Sequence, residues 1–160
     1  MINNKLVIGI GSILVLMTTI LLNIPSQIAN AQPEGEIVAA EGLEAKSNLD
    51  RFDKLDFEAW NNRNWTLFEE IHSPDVLVVD FNGNVTKGIE EHLQWAEKAV
   101  SSVPSKILAH PIKIATGNWT AVTGNSTRTD LSTGESFNNT MVTVAHWKDG
   151  KIIEEYLFSH

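Results

Sequence analysis

Apolar residues recur every three or four positions in three segments of the chain, and this spacing predicts three amphipathic helices. The first helix begins at Ser47, where a capping hydroxyl precedes the acidic Asp50, and it ends at the polar run 61–64. Its apolar face continues through either Leu55 or Asp56, which the spacing leaves open. The other two helices are predicted at 65–71 and between Gly88 and the closing segment 101–105.

Alternation with a period of two predicts one early strand and a later series of long strands. The early strand covers 75–81 and ends at Asn82-Gly83, a dipeptide typical of tight hairpins. The later strands are predicted at 106–115, 119–129, 136–147 and 151–160. Helices followed by a meander of strands indicate an α+β fold, in which a curved antiparallel sheet packs against three N-terminal helices.

The first 31 residues have the pattern of an export signal. Lys5 is the only charged residue before an apolar run that extends to Leu22, and Ala29-Asn30-Ala31 is a small-x-small site of the kind that signal peptidase cleaves. Because the run is also about long enough to span a bilayer, an uncleaved membrane anchor is the alternative. We therefore predict a signal peptide or membrane anchor at 1–31, a flexible tether at 32–46 and an extracytoplasmic domain, secreted or anchored, at 47–160.

Composition and charge narrow the classes of function. The chain is 42% hydrophobic and 20% charged, which is an ordinary globular composition. Its formal net charge of −8 disfavours contact with phosphate backbones, so nucleic acid is not an expected partner. The sequence has no cysteine, which excludes thiolate catalysis, and it has no phosphate-binding loop, dinucleotide fingerprint or Gly-x-Ser-x-Gly motif.

Several short motifs follow one another in a defined order over residues 47–160. They are His72-x-x-Asp75-Val76, Gly88 with His92, His110-Pro111-x-Lys113-Ile114, Gly117-Asn118-Trp119-Thr120-x-Val122, the run from His146 to Ile152, and Glu154-Glu155-Tyr156-Leu157-Phe158. In their order and spacing they resemble SnoaL-like proteins, the polyketide cyclase or ester cyclase family of the nuclear transport factor 2-like superfamily.

This resemblance implies a cone-shaped α+β barrel, often dimeric, with a pocket between the helices and the concave sheet. Members of the family include cyclases that close polyketide esters by an internal aldol reaction, isomerases, dehydratases and proteins with no demonstrated chemistry. One position departs from the family pattern. The last strand of the family usually ends in an Asp after the aromatic pair, where this chain has His160.

Candidate ligand contacts lie on the last predicted strands. Strand alternation places Glu154, Tyr156, Phe158 and His160 on one face, and this mixture of aromatic and titratable side chains suits the wall of a cavity. Trp119, Tyr156, Phe158 and Glu154 are therefore the predicted substrate-binding residues. The alternative is that these aromatic rings fill the core, and the pattern does not decide which face of each strand lines the pocket.

Four histidines are the candidate catalytic residues: His146, His110, His72 and His160. His146 is expected near Glu154 or Glu155 across a hairpin, where a carboxylate would fix the tautomer of a general base. The alternatives are a hydrogen bond to the barrel rim for His146 and simple stabilisation of a helix C-terminus for His72. His92, beside Trp95, is expected to be a half-buried structural residue.

A metal site is not predicted, and neither is any other cofactor. The five histidines do not occur at the short spacings of zinc motifs, although three of them could converge in the folded chain.

The sequence therefore predicts an exported SnoaL-like domain that binds a small, largely apolar organic molecule as a homodimer. Cyclase- or isomerase-type turnover would use His146 and His110 to move a proton next to a carbonyl group. The alternative is a non-catalytic ligand-binding or dimerisation module at the cell surface.

Overall fold

The computed structural model describes residues 35–159 of the chain. The predicted signal or anchor at 1–31 and the candidate catalytic residue His160 lie outside these residues. Within the described part, no helix combines the length and the apolar character that crossing a membrane requires.

Helices and strands are mixed in the first part of the described residues, and the last five elements are all strands. The elements are β1 (Glu36–Glu41), α1 (Gly42–Lys54), a π-helical segment (Leu55–Trp60), α2 (Trp65–Ile71), β2 (His72–Val79), β3 (Val85–Lys87), α3 (Ile89–Ser102), β4 (Ser105–Ala109), β5 (Ile112–Thr116), β6 (Trp119–Thr129), β7 (Ser136–Lys148) and β8 (Lys151–Ser159).

All eight described strands belong to one sheet, in the order β1-β5-β6-β7-β8-β2-β3, with β4 paired to β6. The long strands β6, β7 and β8 form the predicted antiparallel meander. The sheet is mixed rather than purely antiparallel, because β1 runs parallel to β5 and β2 runs parallel to β8. Three helices pack against this curved sheet, which does not close into a full barrel, so the predicted α+β class is confirmed.

The structure differs from the predicted tether at 32–46. Residues 36–41 form β1 at the sheet edge, where Ile37 pairs with Lys113. Gly42 then turns the chain with a φ of 91°, a conformation that glycine adopts without a side-chain clash, and α1 begins there rather than at Ser47. The sequence pattern missed β1 because its backbone groups are satisfied by a strand about 75 residues away in the chain.

The core lies between α1, the helices that follow it and the covered face of the sheet. Trp147 is fully buried, and its indole Nε1 donates a hydrogen bond to Thr120 Oγ1 at 2.9 Å. Leu49 and Phe52 from α1 and Ile152 from β8 belong to the same buried cluster. Large side chains from α1 and from the sheet thus fix the helices against the sheet and position the residues of the site.

The π-helical segment decides the choice between Leu55 and Asp56. Leu55 is buried in the core cluster and Asp56 is half-buried, and both side chains reach the space between helices and sheet. The side chain of Asn61 holds the end of this segment, because it both accepts from the backbone N–H of Ile107 and donates to its carbonyl, at 2.8 and 2.9 Å. Wide turns of this kind often occur at functional sites.

Candidate functional site

A cavity of about 270 Å³ lies between the helices and the covered face of the sheet. Most of its lining is apolar or aromatic: Leu55, Trp60, Phe68, Phe81, Trp95 and Leu157 contribute to it. Five charged or titratable residues share the wall: Asp56, Asp80, His92, Arg128 and Glu155. A largely apolar cavity with a few polar groups is the usual construction of a site for a small organic molecule.

Asp56 is held in the cavity wall by a buried histidine. His110 Nε2 lies 2.8 Å from Asp56 Oδ2, and His110 Nδ1 lies 2.8 Å from Asp53 Oδ1. The spacing of three residues puts both carboxylates on one side of the helical backbone, so a single imidazole reaches both. Lys113 Nζ binds the second oxygen of Asp53 at 2.9 Å.

Because both ring nitrogens of His110 face carboxylates, both must donate, and the ring is an imidazolium. Burial by itself would lower the pKa of His110, but the hydrogen bonds to Asp53 and Asp56 outweigh burial and raise the pKa to about 9. The same contacts, with Lys113, overcome the opposite effect of burial on Asp53 and lower the pKa of that carboxyl. His110 is therefore suited to orient Asp56 and to donate a proton, but not to accept one at neutral pH.

Arg128 supplies a cation to the same cavity. Its guanidinium lies over the ring of Phe81, 5.4 Å from the centroid, and no carboxylate of the described residues approaches it within 4.0 Å. Burial lowers the pKa of Arg128 without removing its charge under ordinary conditions. A half-buried guanidinium without a carboxylate partner is suited to bind a negatively charged oxygen of a ligand.

Asp80 lines the cavity too, but its carboxylate serves the turn after β2. Oδ1 accepts from the backbone N–H groups of Asn82 and Asn84 at 2.8 and 2.9 Å, and Oδ2 accepts from Trp95 Nε1 at 3.3 Å. Burial alone would raise the pKa of Asp80, but a hydrogen bond from the Asn84 side chain, together with those from the two backbone N–H groups and Trp95, outweighs it and lowers the pKa. We therefore assign Asp80 a structural role.

A second buried cluster joins three elements of the fold. Glu155 Oε2 on β8 lies 3.7 Å from His72 Nε2 at the start of β2 and 3.5 Å from His92 Nε2 on α3. Burial alone would raise the pKa of Glu155, but the two imidazoles outweigh it and lower the pKa to about 2. Burial lowers the pKa of His92, an effect that Glu155 only partly offsets.

The structure places His146 away from the cavity. Its ring stacks on Trp119 with centroids 4.2 Å apart, and Asn118 Nδ2 donates to His146 Nε2 at 2.7 Å. Its predicted carboxylate neighbour is Glu154, at 3.6 Å from Nδ1. His146 and Trp119 pair across β6 and β7 on the outer face of the sheet, so the structure does not bring them together with His110 or His72.

The other predicted ligand contacts on β8 also lie outside this cavity. The Tyr156 hydroxyl donates to Glu154 at 3.3 Å, and Phe158 is 55% exposed. The pairing of β7 with β8 contains a bulge. The consecutive residues His146 and Trp147 of β7 pair with Glu154 and Ile152 of β8, so Ile153 has no partner in this pairing. This bulge changes the alternation, so Ile152 shares the inner face with Glu155 and Leu157 instead of with Glu154 and Tyr156.

Sequence reasoning missed Asp56, Arg128 and Glu155 and assigned His92 a structural role. The available signal for Glu155 was its position between Ile153 and Leu157 on one face of the predicted strand. A carboxylate among aliphatic residues on one strand face is an exception that requires a partner. Asp56 carried a similar signal at an otherwise apolar helical position. Of the predicted site residues, His72 is fully buried in the second cluster, and His110 reaches the cavity only through Asp56.

The open, mixed sheet, the three helices packed on it and the cavity between them define a nuclear transport factor 2-like α+β domain. Within this class, the profile of the SnoaL-like domain family matches residues 56–155, and the chain belongs to that family. No curated protein sequence matches the chain.

Solved structures show the same fold. A candidate SnoaL-like polyketide cyclase from Jannaschia sp. CCS1 is 17% identical with a TM-score of 0.68, over 74% of this chain and 89% of its own. A candidate ketosteroid isomerase from Kribbella flavida DSM 17836 is 16% identical with a TM-score of 0.60, over 73% and 80%. TerC, co-crystallised with polyporic acid, is 16% identical with a TM-score of 0.63, over 71% and 92%. At these identities the likeness shows the fold alone.

Proposed function

We propose that the cavity binds a small, largely apolar carbonyl compound and that the domain enolises it, as a cyclase or isomerase would. The observation that carries this proposal is the presence of the Asp56 carboxylate and the Arg128 guanidinium in the wall of one mostly apolar cavity. A base and a cation in one mostly apolar cavity are what removal of a C–H proton next to a carbonyl requires. The co-crystallisation of TerC with polyporic acid supports small-molecule occupancy in this fold.

Asp56 is the proposed base. His110 occupies its Oδ2, and no other side-chain hydrogen bond to this carboxylate occurs among residues 35–159. The C–H proton moves to Asp56, the electron pair of that bond forms a carbon–carbon double bond, and the π pair of the C=O bond moves onto the carbonyl oxygen. The enolate oxygen is stabilised by Arg128. The enolate then takes the proton back from Asp56 at another carbon, or it adds to a second carbonyl group, whose oxygen takes the proton from Asp56.

Binding in the cavity is tested by filling it. Ala99 on α3 lines the cavity, so A99F places a ring where the ligand would lie. We expect A99F to weaken the binding of a bicyclic aromatic ketone, 2-tetralone, by at least about 10-fold, because the remaining apolar volume is too small. The measurement is quenching of tryptophan fluorescence, to which Trp60 and Trp95 in the cavity wall contribute.

The matched control is Q94F, which adds the same ring at an exposed position of the same helix. Equal affinities of A99F and Q94F for 2-tetralone would place the ligand elsewhere and contradict the proposed cavity site.

We further propose that the protein is exported and that it forms a homodimer. The apolar run that ends at Ala29-Asn30-Ala31 supports export. The outer face of the sheet supports self-association, since Ile114, Trp119 and Phe158 there are 39%, 37% and 55% exposed. Apolar side chains gathered on one exposed face are typical of surfaces that another chain covers.

Native mass spectrometry of protein purified from its host tests both points. We expect a dimer whose chains begin at Gln32, because cleavage after Ala31 removes the export signal. Full-length chains recovered only with membranes would show the anchor alternative instead, and a monomer at micromolar concentration would contradict the homodimer.

A further inference from the structure

The cluster of His72, His92 and Glu155 has the composition and geometry of a metal-binding site. We propose that these three side chains bind one divalent transition-metal ion, with zinc as the expected occupant. Two imidazoles and one carboxylate are a common ligand set for zinc and for iron(II), and they are poor ligands for magnesium or calcium, which prefer oxygen atoms alone. This inference does not depend on the proposed role of Asp56.

The distances in the cluster fit ligands of a shared ion better than hydrogen bonds. Glu155 Oε2 is 3.5 Å from His92 Nε2 and 3.7 Å from His72 Nε2, and the three ligand atoms lie within 4.8 Å of one another. Charge-assisted hydrogen bonds of this type are about 2.7–2.9 Å long. Ligand atoms about 2.0–2.2 Å from a tetrahedral ion are separated from each other by roughly 3.3–3.6 Å.

The tautomer of His72 indicates which atom faces the ion. Its Nδ1 lies 2.7 Å from the carbonyl oxygen of Phe68, which can only accept, so Nδ1 carries a hydrogen. In the neutral ring Nε2 then presents a lone pair toward the Glu155 carboxylate, and it has no hydrogen-bond partner within residues 35–159. A backbone carbonyl that accepts from the other ring nitrogen is the usual support of a metal-ligating histidine.

Burial makes a compensating cation necessary. The side chains of His72, His92 and Glu155 are 0%, 3% and 6% exposed. No lysine or arginine within the described part of the chain pairs with Glu155, whose ion-pair neighbours are the two histidines. A buried carboxylate is stable only when a proton, a charged partner or a metal ion offsets its charge.

The three ligands are held by rigid elements. β2 and β8 pair directly in the sheet, and α3 packs on β2, so each side chain comes from a different but adjoining element. Phe68 packs against both imidazoles, with ring centroids 4.5 and 5.1 Å away, and Trp95 stacks on His92. His92 and Glu155 also line the cavity. A metal ion could enter through this cavity, and a water molecule or substrate in the cavity could supply its fourth ligand.

Metal titration of the full protein, purified without a histidine tag and treated with a chelator, tests the site. We expect zinc to bind with one ion per chain by isothermal titration calorimetry, and cobalt(II) to give the visible absorption bands of a low-coordinate nitrogen–oxygen site. E155Q keeps the shape of the side chain but removes its charge, so it is expected to weaken zinc binding at least about 100-fold.

The matched control is E154Q, the same substitution at the neighbouring residue on the outer face of β8, which is expected to keep the zinc affinity of the original chain. Histidine ring NMR provides a measurement that does not depend on a variant that folds. Zinc is expected to shift the ring signals of His72 and His92 and to leave those of His110 and His146 unchanged. Absence of stoichiometric binding, or equal losses in E155Q and E154Q, would show that zinc is not bound through Glu155 and would overturn the proposal.

Discussion

Replacement of Asp56 by asparagine is expected to slow the exchange of the hydrogens next to the carbonyl of 2-tetralone by about 10²- to 10⁴-fold, the usual contribution of a positioned general base. The amide is close to the carboxylate in shape, and its oxygen still accepts from His110 Nε2, which lies 2.8 Å from Asp56 Oδ2. What the substitution removes is the ability to take a proton. Exchange in deuterium oxide, followed by NMR, measures this step directly.

The effect of D56N on KM, compared with its effect on kcat, separates a catalytic role of Asp56 from a structural one. Because Asp56 acts on the C–H proton in the transition state, D56N should lower kcat and leave KM for 2-tetralone nearly unchanged. D50N is the matched control, since Asp50 lies in α1 and forms only an exposed ion pair with Lys46. If D56N and the original chain exchange deuterium at the same rate while both bind the ketone, the domain is a ligand-binding module and not an enolising enzyme.

The second large effect concerns His110 and pH. Its pKa of about 9 in the folded domain lies above the ordinary value of 6.5, so the native state holds this proton more tightly than the unfolded chain does. The resulting stabilisation is complete below about pH 6.5 and is lost as pH rises through 9. A difference of this size corresponds to about 3 kcal/mol in the free energy of unfolding. Urea unfolding at a series of pH values between 6 and 10 measures it.

The H110Q variant tests whether His110 is the group that causes this pH dependence of stability. It cannot carry the positive charge between Asp53 and Asp56, so it should be destabilised by about 3–5 kcal/mol at pH 6, as when one partner of a buried ion pair is removed. Its stability should then change little between pH 6.5 and 9. H146Q, altered at a residue on the outer face of the sheet that is 22% exposed, should follow the original pH curve. Parallel curves for H110Q and the unaltered chain would assign the pH dependence to another group.

The two buried histidine clusters differ in a way that bears on the chemistry. His110 contacts two carboxylates and Lys113 lies beside one of them, so its environment favours the charged ring. In the other cluster a single carboxylate faces two imidazoles, and burial lowers the pKa of His92. The first arrangement orients a carboxylate in the cavity wall, and the second leaves imidazole nitrogens available to a metal ion.

The order and type of the main elements were determined by the sequence. α2 and β6 have the predicted bounds, 65–71 and 119–129, because their caps, turns and apolar spacing are all local. The α+β class and the family followed from the same local patterns and from the order of the motifs. The sequence also indicated that His146 would have a carboxylate neighbour, since the short hairpin fixes the register of β7 against β8.

Tertiary structure decided what lines the cavity. One extra residue at Ile153 turns Glu155 inward and Glu154 outward, and the π-helical segment places Asp56 in the wall. β1 exists only because β5 accepts it as a partner. His72, His92 and Glu155 meet because β2, α3 and β8 pack together, although they are far apart in the chain. Sequence periodicity indicates on which face of its helix or strand a residue lies. Bulges and long-range packing decide which of these side chains share a buried space.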